Sequence, residues 1–509
     1  MQGDLHITNA RIWTALPNSS FASSLTIRGG TILAVNTPPS EYARIINAHG
    51  LTILPGFIDS HLHLLMAGRA LNDLDLSLIT SRAEFESAIA ARHAQLKPGQ
   101  WLIARAWSQV NWAGSELPTK HWLRAAGDRP CVCYRMDLHA AVVNDAVLDQ
   151  IDTHRPVTGG KFERDSHNQL TGIVLEAALW ERINPVIPDG DLETKRAWLS
   201  LAMQHANRLG LTAVGTMEYQ PDIHNIYCDD RSNLTLRCKC IVMDRAWPMS
   251  FDFGQKFASD DFLAVVGYKA FADGTLGSRT ARMFADYADD PGNRGMLVEL
   301  AAKGTLSQWA HACAQSGMSP CIHAIGDEAA HVALHAIENI HPELRPRIEH
   351  AQQLSPEDFP RFRDVIASMQ PLHKADDGRY VTSRVGPDRL AGTFAFRSLK
   401  RAGARLAFGS DWPVVSCDPM LGIRAAVTGL TLDGKVFKPE ENLTVEESLR
   451  AYTVDAAYAI HLDRAGLIAP GALADLVMLD KNPFDIDWSR ELPKVVATMV
   501  DGEFVYDAR

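Results

Sequence analysis

The sequence predicts an α/β protein: an eight-stranded parallel barrel with an insertion, plus a small β domain assembled from both chain ends. Three observations carry this. Short apolar runs alternate with helix-like stretches through the middle of the chain, the pattern of parallel βα units. Both ends are instead rich in β-branched residues and hairpin signals. The chain has 509 residues, 46% apolar and 22% charged, close to globular averages, so it buries a large core and is neither disordered nor a disulfide scaffold.

From the N-terminus, residues 4–16 alternate weakly, and 24–36 (SLTIRGGTILAVN) read as two strands around Gly29-Gly30, with a further strand in 43–54. The C-terminal stretches 474–479 and 495–506, the latter broken at Asp501-Gly502, read the same way. Between them lie apolar runs at 53–58, 101–106, 131–135, 211–217, 237–243, 264–271, 319–323, 346–350, 365–370 and 405–410. Helix-like stretches fall at 82–96, 192–209, 301–317, 327–340 and 442–461. Seven or eight βα units over about 400 residues fit a closed barrel better than the alternative, an open sheet. The expected division is 1–52 and 465–509 for the β domain and 53–464 for the barrel. An insertion is expected at about 70–200, with an exposed hairpin or loop at 156–169.

Fifty Lys+Arg against 61 Asp+Glu give a net charge of -11, and no basic stretch suggests a nucleic-acid partner. The eight cysteines form no C-x-x-C pair, and the C-x-C pairs Cys131/Cys133 and Cys238/Cys240 read as reduced structural thiols. The N-terminal residues carry Asp4 and no basic, apolar leader pattern. No apolar run reaches the roughly 18 residues of a membrane span. A cytoplasmic protein acting on a small molecule is the expectation, with a homodimer as the base-rate state of soluble enzymes.

The chemistry concentrates where apolar runs stop. Residues 54–63 (LPGFIDSHLH) run an apolar strand into His61-x-His63. Residues two apart share a side of a strand, so both imidazoles can reach one metal ion at a strand end. His323, His350 and Asp411 each end another such run. Imidazole nitrogen plus carboxylate oxygen suits a divalent metal, zinc first, with iron, manganese and cobalt also compatible. Lys269 sits inside the apolar run VVGYKAFADG. Burial disfavours its charged form, and a neutral lysine can add carbon dioxide to give a metal-bridging carbamate; pairing with Asp273 or reaching solvent is the alternative.

These segments resemble the amidohydrolase superfamily of metal-dependent hydrolases, and more closely its YtcJ-like branch, which includes N-substituted formamide deformylase-type enzymes. The resemblance rests on LPGFIDSHLHL (54–64), YKAFADGTLGSRTA (268–281), IHAIGD (322–327), RIEHAQ (347–352), MQPLHKADD (369–377), FRSLKRAGARLAFGSDWPV (396–414) and the terminal GLIAPGALADLVMLDKNPF (466–484). It implies a distorted (β/α)8 TIM-like barrel and a β-sandwich built from both termini. By motif position, His61 and His63 would bind one metal, carbamylated Lys269 would bridge two, and His323 and His350 would hold the second. Asp411 would touch the first metal and the attacking water. One or two metals per chain are compatible with this set.

The implied activity is hydrolysis of a C–N bond in an amide, N-formyl group or cyclic amide. The same chemistry would open an ester, lactone or carbamate, and a non-catalytic barrel relative would show lost ligands, which this chain does not. His139, in a segment like the branch's Asp-x-His-x-x-x-x-Asn, is a candidate catalytic and substrate-pocket residue. Trp107, Gln109, Arg279 and His373 are further substrate-binding candidates. Asp376 and Asp377 could hold a substrate amine, a solvated pair being the simpler reading. His311, His331, His335 and His341 read as helix-face residues.

Overall fold

The structure, a computed structural model, describes residues 4–17, 21–243 and 246–509. Residues 1–3, the start of the segment read for a leader, lie outside the described residues. Its centre is one parallel sheet of eight strands in chain order, a TIM-like barrel: β1 (Phe57–Leu62), β2 (Leu211–Glu218), β3 (Arg237–Val242), β4 (Leu263–Phe271), β5 (Ser319–Ala324), β6 (Arg347–His350), β7 (Ile366–Met369) and β8 (Arg405–Phe408). Strands covered on both faces need near-continuous apolar sequence. β2 (LTAVGTME) follows this and is buried at every position, and β3 (RCKCIV) is as fully buried with Arg237 and Lys239 included. The edges β1 and β8 are joined by backbone bonds just past their ends: Asp411 N donates to His61 O at 2.7 Å and His63 N to Trp412 O at 2.9 Å.

Eight of the apolar runs became barrel strands. The other two, Leu102–Trp107 and Cys131–Arg135, pair in parallel inside a second, six-stranded sheet inserted between β1 and β2. The stretch at 156–169 opens the hairpin of Gly160–Arg164 and Leu170–Glu176 at that sheet's edge. Cys131 and Cys133 point the same way, their sulfurs 3.8 Å apart. The expected helices form as Arg82–Gln95, Leu192–Arg208, Leu306–Gln315, Asp327–Ala336 and Val445–Ala451. The Asp191 carboxylate caps the second at 2.8 Å, and a Thr444/Glu447 capping box starts the last.

The chain ends meet. Thr52–Pro55 pairs in parallel with Arg11–Trp13 and antiparallel with Leu476–Leu479, within a six-stranded sheet drawn from both termini. A four-stranded N-terminal sheet shares a buried cluster with it, Ile7, Leu25 and Ile27 packing with Ile53, Leu476 and Met499. The run 53–58 therefore divides: its first half belongs to the end sheet, and the barrel begins at Phe57. Gly56 makes the break, because a Cβ there would collide with the Thr212 side chain of β2. Arg237 at the start of β3 is buried and fastens the barrel to the end sheets, donating to Asp475 at 2.6 and 3.0 Å and to Asp501 at 3.1 Å. Among the described residues no helix is long and apolar enough to cross a membrane.

Glu218, at the end of β2, has a measurable consequence for stability. One of its oxygens accepts from Thr216 and Tyr227 hydroxyls at 2.6 Å each and from Leu65 N at 3.1 Å. Burial pushes its carboxyl up from 4.5 to about 7, against the pull of those hydrogen bonds. Between these values the unfolded chain has lost the proton while the native state keeps it, so this group's contribution to stability falls as pH rises. Glu218→Gln keeps the accepting oxygen and removes the ionisation. It is expected to flatten the fall in stability between pH 4.5 and about 7, gaining up to about 3 kcal/mol above that window. Denaturant unfolding of both proteins across that range checks it; parallel pH profiles would refute it.

Candidate active site

The site lies at the C-terminal ends of the barrel strands, where such folds collect chemistry. His61 is fully buried in β1. Its Nδ1–H donates to Glu349 Oε2 at 2.5 Å, which turns Nε2 inward, 3.3 Å from Asp411 Oδ1 and without a hydrogen-bond partner. His63, just past β1, brings its Nε2 to 3.2 Å from the same oxygen. His350, the last residue of β6, donates its Nδ1–H to Gln370 Oε1 at 2.8 Å, leaving Nε2 free. His323 of β5 donates Nε2–H to Gly274 O at 3.1 Å, and its ring centre lies 4.5 Å from that of His350. Ligand atoms of His61, His350 and Asp411 all lie within 4.8 Å of one another.

The electrostatics keep these groups ready for a cation. Burial holds His323 and His350 well below the ordinary imidazole value, so both are neutral. Burial alone would raise the Asp411 carboxyl, but the imidazoles of His61, His63 and His350 outweigh it and hold Asp411 well below the usual carboxylate range. His350 and Asp411 sit at φ +74° and +60°, a left-handed conformation that costs non-glycine residues about 1–3 kcal/mol and clusters at functional sites. Lys269 is 3% exposed on β4, with Nζ 5.0 Å from the Phe271 ring centre, and makes no ion pair among the described residues. Burial lowers its pKa. Asp273, weighed as its partner, instead accepts backbone amides of Arg282, Ile325 and Gly326 at 2.8, 3.0 and 2.8 Å.

All six metal-ligand candidates line one cleft of about 1100 Å³, solvent at its mouth included. Trp180, Phe271, Met243 and Ile187 give it apolar walls. A smaller chamber of about 460 Å³ adjoins it, the two sharing His139, His323, His350 and Asp411. His139 reaches this junction from the inserted sheet. Its Nδ1–H donates to Glu176 at 2.7 Å, and its ring lies 5.1 Å from that of His323. Burial works against its charge, but the Glu176 carboxylate prevails and raises the pKa. His373 lines the smaller chamber, its ring parallel to that of His350 within 9°.

Four expectations change. Trp107 is fully buried in the core of the inserted sheet, donating Nε1–H to Cys133 O at 2.7 Å. A register break between Ala104 and Trp107, with Ala106 at φ +66°, turns it onto the core face with Leu102 and Ala104 instead of the cleft face of Ile103 and Arg105. Gln109 accepts from Arg135 Nε at 3.0 Å, and Arg279 pairs with Asp289 at 3.0 Å; with Trp107 both line a separate cleft. Asp376 is buried and Asp377 half-buried, so they are not a solvated pair. The helix Pro371–Asp377 folds them inward, where Asp376 pairs with Arg379, and Asp377 accepts from the Gln352 amide and the Tyr380 hydroxyl.

The sequence reading missed the support behind the ligands. Glu349 accepts from Arg347 Nη2 at 3.0 Å and its other oxygen lies 2.8 Å from Nε as an ion pair, and Arg347 also donates to Ser60 O and Ser368 Oγ at 2.9 Å each. The available signal was two opposite charges at alternate positions of a buried strand, RIEH. A family model described as the amidohydrolase family matches residues 44–506.

The chain belongs to the amidohydrolase family.

The amidohydrolase is 32% identical to YtcJ of Bacillus subtilis (strain 168) over 485 residues, covering 91% of this chain and 90% of that one. It is 26% identical to the N-substituted formamide deformylase of Arthrobacter pascens over 535 residues, covering 99% and 98%. It superposes on the crystal structure of an uncharacterized metal-dependent hydrolase from Pyrococcus horikoshii OT3 with a TM-score of 0.78 at 27% identity, over 96% of this chain and 100% of the other. It is an enzyme that hydrolyses carbon–nitrogen bonds. In this amidohydrolase Glu349 fixes the His61 tautomer, so Glu349→Gln is expected to weaken metal affinity by about 10–100-fold. Competition against a colorimetric chelator reads this directly; unchanged affinity would remove Glu349 from the site.

Proposed function

We propose that the amidohydrolase hydrolyses an amide, N-formyl or cyclic amide bond of a small molecule, using a divalent metal held by its strand-end histidines and Asp411. The observation that carries this is the convergence of His61, His350 and Asp411, with the buried His61 Nε2 lacking any protein partner. A nitrogen-and-carboxylate donor set of this kind fits zinc. His61, His63 and Asp411 would hold one ion, and His323 and His350 a second. Lys269 would bridge them as a carbamate, its neutral amine and carbon dioxide giving N–COO⁻ and a released proton.

A bound metal of this class supplies water acidity near neutral pH and Lewis-acid polarisation of a carbonyl. The protein's own groups do the rest. Asp411 takes the proton from the attacking water and passes it to the leaving nitrogen. His139, oriented by Glu176, stabilises the oxyanion through its other ring nitrogen as the carbonyl becomes tetrahedral. The C–N bond then breaks, so R–CO–NH–R′ and water give R–COOH and H₂N–R′. The deformylase relative, whose name specifies N-substituted formamides, supports including an N-formyl group.

The eight unpaired cysteines support a cytoplasmic enzyme. The cluster shared by the two terminal sheets supports their reading as one β-sandwich domain beside the barrel. The test is elemental mass spectrometry on protein purified without chelator, paired with turnover of matched amide and ester substrates. About two metal equivalents support the bridged pair, and one removes the bridging role of Lys269. No metal after reconstitution in bicarbonate, or turnover of esters alone, overturns the proposal.

A further inference from the structure

The smaller chamber differs from the larger in which of its polar groups are satisfied. Apart from Asp411, its three carboxylates each accept hydrogen bonds from the protein. Asp137 accepts from Arg135, from the hydroxyls of Thr275 and Ser278 and from His139 N. Asp376 and Asp377 are held by Arg379, Gln352 and Tyr380 as described above. Two nitrogens of its lining residues lack a partner. Arg135 Nη2 and His373 Nε2 are both buried and have no hydrogen-bond partner. Arg135 is only 2% exposed, and a guanidinium nitrogen can only donate. A side chain at Gly277 would collide with the guanidinium, so the glycine leaves it room in the chamber wall.

A buried donor without an acceptor is costly, and native structures rarely keep one without a use. Four carboxylates, Asp137, Asp376, Asp377 and Asp411, line the chamber with one guanidinium, Arg135, so an added anion would meet an excess of negative charge. A cation would leave Arg135 Nη2 without an acceptor, because a guanidinium nitrogen only donates. A neutral acceptor oxygen meets neither objection.

We propose that the smaller chamber is a subsite for a neutral carbonyl oxygen of the substrate, such as a carboxamide, urea or imide oxygen, bound by Arg135 Nη2 and His373 Nε2. The substrate spans both spaces, with its apolar part against Trp180 and Phe271 and its scissile bond at the shared His350 and Asp411. This rests on the carbonyl-hydrolase reading above and names the substrate class for that site.

The test uses four 4-nitroanilides matched in acyl length, ending in carboxamide, carboxylate, ammonium or methyl, on the metal-loaded full chain. The carboxamide is expected to exceed the methyl-ended anilide in kcat/KM by at least about tenfold. Arg135→Met is expected to bring the two within about twofold. Arg135 also holds Asp137 and Gln109, so His373→Phe serves as the second variant: it keeps the ring against His350 and removes the nitrogen. Calorimetric titration of the N-methylated carboxamide and methyl-ended anilides, which needs no turnover, reads the same preference as a Kd ratio. A preference for ammonium or carboxylate, or a carboxamide preference unchanged in both variants, overturns the proposal. If calorimetry shows the preference and its loss in His373→Phe while no anilide is cleaved, the subsite stands and the hydrolase reading falls. If calorimetry shows no preference, the subsite falls whatever the turnover.

Discussion

Asp411→Asn is expected to lower kcat by about 10²–10⁴-fold while leaving the fold intact. The asparagine matches the carboxylate in shape, and its backbone still donates to His61 O across the barrel edge. What it loses is the ability to accept a proton, and with it the anion that His61, His63 and His350 surround. The comparison requires equal metal content in both proteins, because Asp411 is also a proposed ligand. Turnover of the same amide at saturating substrate, with thermal unfolding as the control, checks it. Activity within a factor of a few of the parent would remove Asp411 as the proton acceptor.

Arg347→Met is expected to destabilise the metal-free protein by about 3–5 kcal/mol. Arg347 and Glu349 are both fully buried. Burial would raise the Glu349 carboxyl, but Arg347 and His61 hold it well below its ordinary value of 4.5. A lowered carboxylate contributes stability above its unfolded pKa, and that contribution is lost as pH falls through the folded value. The wild type therefore carries it at neutral pH and loses it below about 4.5. Without Arg347 the carboxylate is left buried with His61 alone. Adding Glu349→Leu is expected to restore part of the loss, because an uncompensated charge costs more than an absent pair. Denaturant unfolding measures both. Arg82→Ala, at the exposed Arg82–Glu86 pair, is the control and is expected to shift stability by under about 1 kcal/mol. Equal effects at Arg82 and Arg347 would mean that burial does not set the energy of these pairs.

What was legible in the sequence follows the range of the forces involved. Most barrel strands announce themselves locally, because a strand covered on both faces is largely apolar, its buried charges being confined to paired positions such as Arg347 and Glu349. Metal-ligand candidates were legible for the same reason: a histidine or aspartate ending such a run, as at His61, His323 and Asp411, stands out from its neighbours. Their supports did not, because the bond from His61 to Glu349 joins residues 288 positions apart. Strict alternation would set Trp107 on the cleft face with Ile103 and Arg105, and the bulge at Ala106 that turns it into the core has no local sequence signal. Asp376 and Asp377 misled because paired acids favour water until Arg379, Tyr380 and Gln352 surround them. The domain edge at 52 fell inside Thr52–Pro55, since one apolar run serves two sheets in succession and only the contact at Gly56 divides it.

The bonds across the β1–β8 edge also set an order of assembly. His61 leaves the ribosome early, but Asp411 and the amide that seals His61 O come 350 residues later. Closing a loop of that length is slow and postponed until most of the chain exists. No nascent fragment ending before β8 brings Asp411 to His61 and His350, so metal capture at the proposed site would double as a certificate that synthesis and ring closure are finished.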